Sequence, residues 1–184
     1  MSLGGDVQAD ADQVQHLNEL DRGGRDAERP ARTSALLATG AALLAVPFLP
    51  WPGHAALGGL GAGLLAAGSL AGEKRPVHLG ATLAAFAALF AGVGGAGALH
   101  TVVPTLLTLV AWDVGRYGIR LGRQLGPDAD TRRAELVHAA STTLVGVCGA
   151  ALALATFSLV AGAVPTLAAV ACLLGATLLL VSFA

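Results

Sequence analysis

Apolar positions run in long blocks, and polar residues fall almost wholly between them. From Thr33 onward the apolar stretches lie at about 33–49, 54–72, 76–97, 101–120, 136–160 and 164–184. A helix crossing a hydrocarbon core needs about 20 mostly apolar residues. Within lipid, each backbone polar group must also find its partner inside the spanning structure. The pattern therefore predicts an all-α, polytopic membrane protein with six transmembrane helices paired as three helical hairpins. Two segments break it. Residues 1–32 carry Asp6, Asp10, Asp12, Glu19, Asp21, Asp26 and Glu28 among few apolar side chains, so a disordered tail is expected there. Val14, Leu17 and Leu20 recur at helical spacing and allow a short helix from about Asp12 to Arg22. The stretch 121–135 reads as a loop between the fourth and fifth spans.

Charge gives the pattern a direction. The 11 Lys and Arg residues fall at Arg22, Arg25, Arg29 and Arg32, at Lys74 and Arg75, and at Arg116, Arg120, Arg123, Arg132 and Arg133. The connections at the far ends of the hairpins carry none. Basic residues are held on the cytoplasmic side during insertion. Both termini, the Lys74 turn and the 121–135 loop are thus expected inside, in the plasma membrane, with the first span acting as its own insertion signal in place of a cleaved leader. Composition agrees: 54% of the chain is hydrophobic and 12% charged, where soluble domains run near about 25% charged. A net charge of −1 gives no bulk attraction to nucleic acid. Cys148 and Cys172 sit in mid-span, as small apolar side chains or as a pair at similar depth on adjacent helices.

Small residues point to helix packing. Span 2 sets Ala55, Gly59, Gly63, Ala67 and Ala71 at successive i+4 positions, and Gly118 and Gly122 repeat the step in span 4. Such rows let backbones approach closely in lipid, either within one subunit or across a homo-oligomer. A partial repeat accompanies them. Val77-His78 followed by Val103-Pro104-Thr105-Leu106 is echoed by Val137-His138 followed by Val164-Pro165-Thr166-Leu167. In each unit the proline is expected near the start of the returning helix, where a missing N–H costs little.

Candidate chemistry gathers in one place. Span 4 reaches the inner surface only by carrying Asp113, Arg116 and Tyr117, followed by Arg120 and Arg123. Charged groups at that level are costly, by about 2.5 to 3.5 kcal/mol at a helix centre and less near the interface. Asp113 and Arg116 are spaced to meet on one helical face, with Tyr117 in reach of Asp113. An interfacial ion pair, a partner-docking surface and a proton or ion pathway all fit this cluster. Gly126-Pro127 should stop the helix, Asp128 or Asp130 should cap the next one, and Glu135 falls in its first turns. The arginines form a basic stripe suited to anionic headgroups or to a cytosolic protein. Ser141, Thr142 and Thr143 should bond backbone within their own helix. His54 and His100 fall at the outer ends, but two histidines without a nearby acid or thiol make a poor metal site. No phosphate loop, nucleophile elbow or HExxH spacing occurs, so no catalytic residue, metal or cofactor is expected.

The run Trp112-Asp113 through Asp130-Thr131-Arg132-Arg133-Ala134-Glu135-Leu136-Val137-His138 resembles a family of uncharacterised haloarchaeal multi-pass membrane proteins, known as a domain of unknown function. Members are typically encoded beside a MoxR-type AAA ATPase, a von Willebrand-like protein and a transglutaminase-like membrane protein. The resemblance implies an accessory role in an ATPase-linked membrane complex. The expected function is a membrane scaffold that recruits a partner through Asp113, Arg116, Arg120, Arg123, Asp130, Arg132, Arg133 and Glu135. A small-solute transporter or channel built on the repeated hairpins is the alternative.

Overall fold

A computed structural model of the chain describes residues 30–125 and 130–160. These form five helices: α1 (Arg32–Ala45, continued by a 3₁₀ turn at Val46–Phe48), α2 (Pro52–Ala71), α3 (Lys74–Val93), α4 (Ala98–Leu125) and α5 (Arg132–Val160). Four of them, α2 to α5, are long and apolar enough to cross a membrane, the mark of a multi-pass membrane protein. The expected tail helix and sixth span, with Cys172, lie outside the described residues, so the described chain holds four candidate spans and the shorter α1, not six spans.

Local chemistry sets the boundaries. Pro47 has no N–H for the Leu43 carbonyl, and the chain tightens to 3₁₀ as Val46 takes that carbonyl instead. Extended Trp51 precedes Pro52, which opens α2 at a position where the lost N–H is harmless. Gly72 ends α2 in the left-handed region at φ 76°, a conformation that disfavours any Cβ. Helix α3 stops at Val93, short of the expected 97, because Gly94 and Gly95 turn the chain, Gly95 at φ 90°. Helix α4 begins three residues before Thr101, which moves Pro104 past the first turn and into the helix body. There it cannot donate to the His100 carbonyl, unlike a proline at a helix start. The expected loop of 121–135 is shorter than read: α4 takes its first five residues and α5 its last four.

Helices α1, α2, α3 and α4 pack around a core of Ala38, Ala42, Ala62, Leu65, Val77, Ala111, Val114 and Ile119. A second cluster, Leu49, Ala87, Ala88 and Ala91, lies toward the other end. The basic segments meet at one end. There Ala31 N–H donates to the Gly118 carbonyl (3.1 Å) and Arg123 Nη2 to that of Gly72 (3.4 Å). At the opposite end His100 Nδ1 lies 2.9 Å from the Phe48 carbonyl, and Trp51 packs on Gly94. Helix α5 leans chiefly on α4. Among its described residues only Glu135 is buried, while Leu144, Val145 and Leu152 are 65%, 71% and 70% exposed.

The closest approach joins α2 to α3. A Cβ on Gly61 would stand 2.6 Å from the Ala84 nitrogen and 2.7 Å from the Gly80 carbonyl oxygen, and one on Gly68 2.7 Å from the Val77 nitrogen. Gly59 and Gly63, expected to line the seam, do not: among the described residues nothing lies within 4 Å of a Cβ at either. Within the described residues that row lies on a face of α2 turned away from α3, on a helix with small residues on every side. Gly118 does pack, against Ser34 of α1, and Gly122 is buried below it. Replacing Gly61 or Gly80 with Ala should lower stability by about 1–3 kcal/mol. Gly63→Ala should stay within about 0.5 kcal/mol of the parent. Denaturant unfolding in detergent micelles would separate the two faces.

Candidate functional site: the polar contact between α4 and α5

Asp113 and Tyr117 are four residues apart on α4, so they share a face. His138 and Thr142 stand in the same relation on α5, and the two pairs interlock. Thr142 Oγ1 donates to Asp113 Oδ2 at 2.7 Å. His138 Nε2 lies 2.9 Å from that oxygen, and the Tyr117 ring stacks on the imidazole with centroids 3.9 Å apart and planes 15° from parallel. Although Nε2 is close to the carboxylate, it is not aligned for a hydrogen bond with it or with any other described group. Charge, more than a directed N–H, decides what that contact is worth.

Trp112 serves the other side of α4. The Arg116 guanidinium lies over its ring, 4.5 Å from the centroid, and His78 of α3 meets it edge-on at 5.9 Å. The two histidines that open the repeated units thus flank one polar segment of α4. The expected meeting of Asp113 with Arg116 does not occur among the described ion pairs: Asp113 turns to α5 and Arg116 to the indole. A cation over an aromatic face keeps its attraction without giving up water on its open side.

Glu135 joins the start of α5 to the start of α1. Its side chain is 2% exposed, and Oε2 accepts the Ser34 backbone N–H while Oε1 accepts the Thr131 hydroxyl at 2.7 Å. Helix α1 needs that acceptor. Its N-cap is Ala31, with no side chain able to satisfy the open N–H groups of the first turn. A carboxylate there also meets the positive end of the helix dipole. Asp130 is exposed and makes no capping bond among the described residues; the residue preceding α5 is Thr131, which turns its hydroxyl to Glu135. The other proposed cap, Asp128, lies outside them.

An open groove of about 620 Å³ runs along this end, lined by Asp130, Arg133, Val137, His138 and Ser141 with Tyr117 at its wall. The proposed partner residues therefore divide. Asp113, Arg116, Arg123 and Glu135 are engaged within the chain, whereas Arg120, Asp130, Arg132 and Arg133 are exposed. The chain belongs to DUF7519. This family of unknown function matches over residues 28–181, which takes in every helix described here. No curated protein and no solved structure matches the chain.

Sequence reasoning placed Asp113 and Glu135 in the polar segment but missed their partners. Ser141 and Thr143 bond the carbonyls of His138 and Ala139, as expected of helical hydroxyls. Thr142 instead crosses to α4. The matching four-residue steps of Asp113/Tyr117 and His138/Thr142 were the available signal. His54 packs by Trp51, and His100 faces the Phe48 carbonyl. No cluster of three metal-ligating side chains occurs among the described residues, and Cys148 is exposed.

Removing the Glu135 carboxylate strands the Ser34 N–H in the protein interior. Glu135→Ala should cost about 1–3 kcal/mol, and Glu135→Gln, which keeps an acceptor, clearly less. Hydrogen exchange at the first turn of α1 should speed up most in the alanine variant.

Proposed function

We propose that this DUF7519 chain is a multi-pass scaffold of the plasma membrane that recruits a cytosolic or membrane partner through the end of α4 and the start of α5. In this reading the chain crosses the bilayer six times with both termini inside, and residues 164–184 supply the last span. The observation that carries it is the set of exposed charges at one end, Arg120, Asp130, Arg132 and Arg133, which form no side-chain bond among the described residues. With 28 residues, α4 is about 42 Å long at 1.5 Å per residue. That exceeds a hydrocarbon core of about 30 Å, so its charged turns project to where a partner can reach them. Apart from the buried hydroxyls of Ser34, Ser69 and Thr108, the interior among α1 to α4 is filled by apolar side chains and glycines, which favours a scaffold over a solute pathway. The resemblance drawn from the 112–138 run points to an ATPase-linked complex as the partner, in an archaeal setting.

Two measurements test this. With Asp130, Arg132 and Arg133 all changed to Ala, partners recovered by affinity purification from native membranes should be lost while insertion is unaffected; undiminished recovery would sink the docking surface. In a background with Cys148 and Cys172 replaced by Ser, an impermeant maleimide should label Gly53→Cys from outside. Asp130→Cys should be labelled only after permeabilisation.

A further inference from the structure

We infer that Asp113 and His138 form a proton-binding site that latches α5 to α4, holding the helix when the imidazole is charged and loosening it when the proton leaves. Helix α5 encloses only Glu135 within its described length; Gly146 packs on Leu106 and Val110, Ala139 touches the core, and most of its other apolar side chains face outward. In lipid such side chains gain little by choosing a helix over an acyl chain. The part of its attachment to α4 that chemistry can alter is then the directed contacts, Thr142 to Asp113, His138 to Asp113 and the ring stack on Tyr117.

Of these three, one depends on a proton. Nε2 stands 2.9 Å from the carboxylate without hydrogen-bond alignment. An uncharged imidazole in that pose offers the carboxylate little, whereas an imidazolium offers a full ion pair. Imidazole is also the side chain whose charge ordinarily changes between about pH 5 and 8. The site has an entrance, because His138 and Tyr117 line the groove that opens at the basic end.

Other charged and titratable groups around the imidazole are few. From α4 come Asp113 and Tyr117, with Arg116 turned onto Trp112. From the start of α5 and the residues before it come Arg133 and Asp130 along the groove, and Glu135, which is held by Ser34 and Thr131. From α3, His78 faces Trp112. Asp113 is thus the carboxylate in direct contact. The sign follows: the pair attracts while the imidazole is protonated and the carboxylate is not, and that attraction fades as pH rises and the imidazole loses its proton.

The test uses the full chain in lipid nanodiscs, with spin labels at Leu109→Cys on α4 and Leu152→Cys on α5 and the native cysteines changed to Ser. Between pH 5 and pH 8 the distance distribution should pass from one short population to a mixture in which a longer one has grown several-fold. His138→Gln and Asp113→Asn should each give a distribution that no longer responds to pH. Thr142→Val removes the neutral bond but keeps the ionisable pair, so its response must survive. A parent distribution unchanged across this range overturns the proposal, as does a pH response that persists in His138→Gln or disappears in Thr142→Val. A merely structural contact would shift distances equally at every pH.

Discussion

Acyl chains are as apolar as leucine, so the hydrophobic effect that assembles soluble cores gives helices in lipid little reason to prefer one another. What remains is close backbone approach and a small number of polar contacts, and this chain divides the two between different helices. Helices α2 and α3 use the first. Gly61, Gly68 and Gly80 bring their backbones so near that a methyl group would collide with main-chain atoms. Helix α5 adds the second, touching α4 through Asp113, Thr142 and His138 and α1 through Glu135, besides an apolar contact of Gly146 with Leu106.

The two modes differ in what can alter them. Contact between glycine-lined backbones is set by shape and by dispersion forces, which no change of pH or salt touches. A carboxylate beside an imidazole is held by charge, and charge answers to the solution. The same fold therefore has a part that is fixed once made and a part whose hold is conditional. Helix α4 connects them. One face of it is buried through Ala111, Val114, Gly115 and Gly118 against the fixed part, and another presents Asp113 and Tyr117 to α5.

Element positions were legible in the sequence because a long apolar block has one stable form in lipid. The starts and stops of α1 to α3 are set by Pro47, Pro52, Gly72 and Gly95, residues whose backbone limits are local, yet the expected end of α3 fell four residues late. Which face packs was not legible. A helix with Gly and Ala on every side has no apolar stripe to reveal its seam, and the i+4 row through Gly59 and Gly63 was as regular as the true contact through Gly61 and Gly68. The polar contacts failed for another reason. Asp113 and Arg116 are near in sequence, but Thr142 and His138 compete for the carboxylate from another helix. Likewise, Glu135 was readable as a residue of α5's own first turns, yet its partner Ser34 lies 101 residues earlier. Spacing within one helix can show which side chains share a face; it cannot show what that face meets.

Glu135 makes the conditional helix consequential for the rest. By supplying the acceptor that Ala31 cannot, it makes the first turn of α1 depend on where α5 begins. The Thr131 hydroxyl holds the carboxylate in place from the other side, and the exposed Asp130, Arg132 and Arg133 adjoin the same turn. A force on those charges would be transmitted to Glu135 through a single helical turn, and from there to the start of α1. The two clamps on α5 lie at Glu135 and at His138/Thr142, within two helical turns of each other at about 3.6 residues per turn. One turn past Thr142 the contact with α4 continues without polar groups, at Gly146, where a Cβ would stand 2.5 Å from Leu106 Cδ1, so the charge-dependent clamps hold only the basic end of a longer seam.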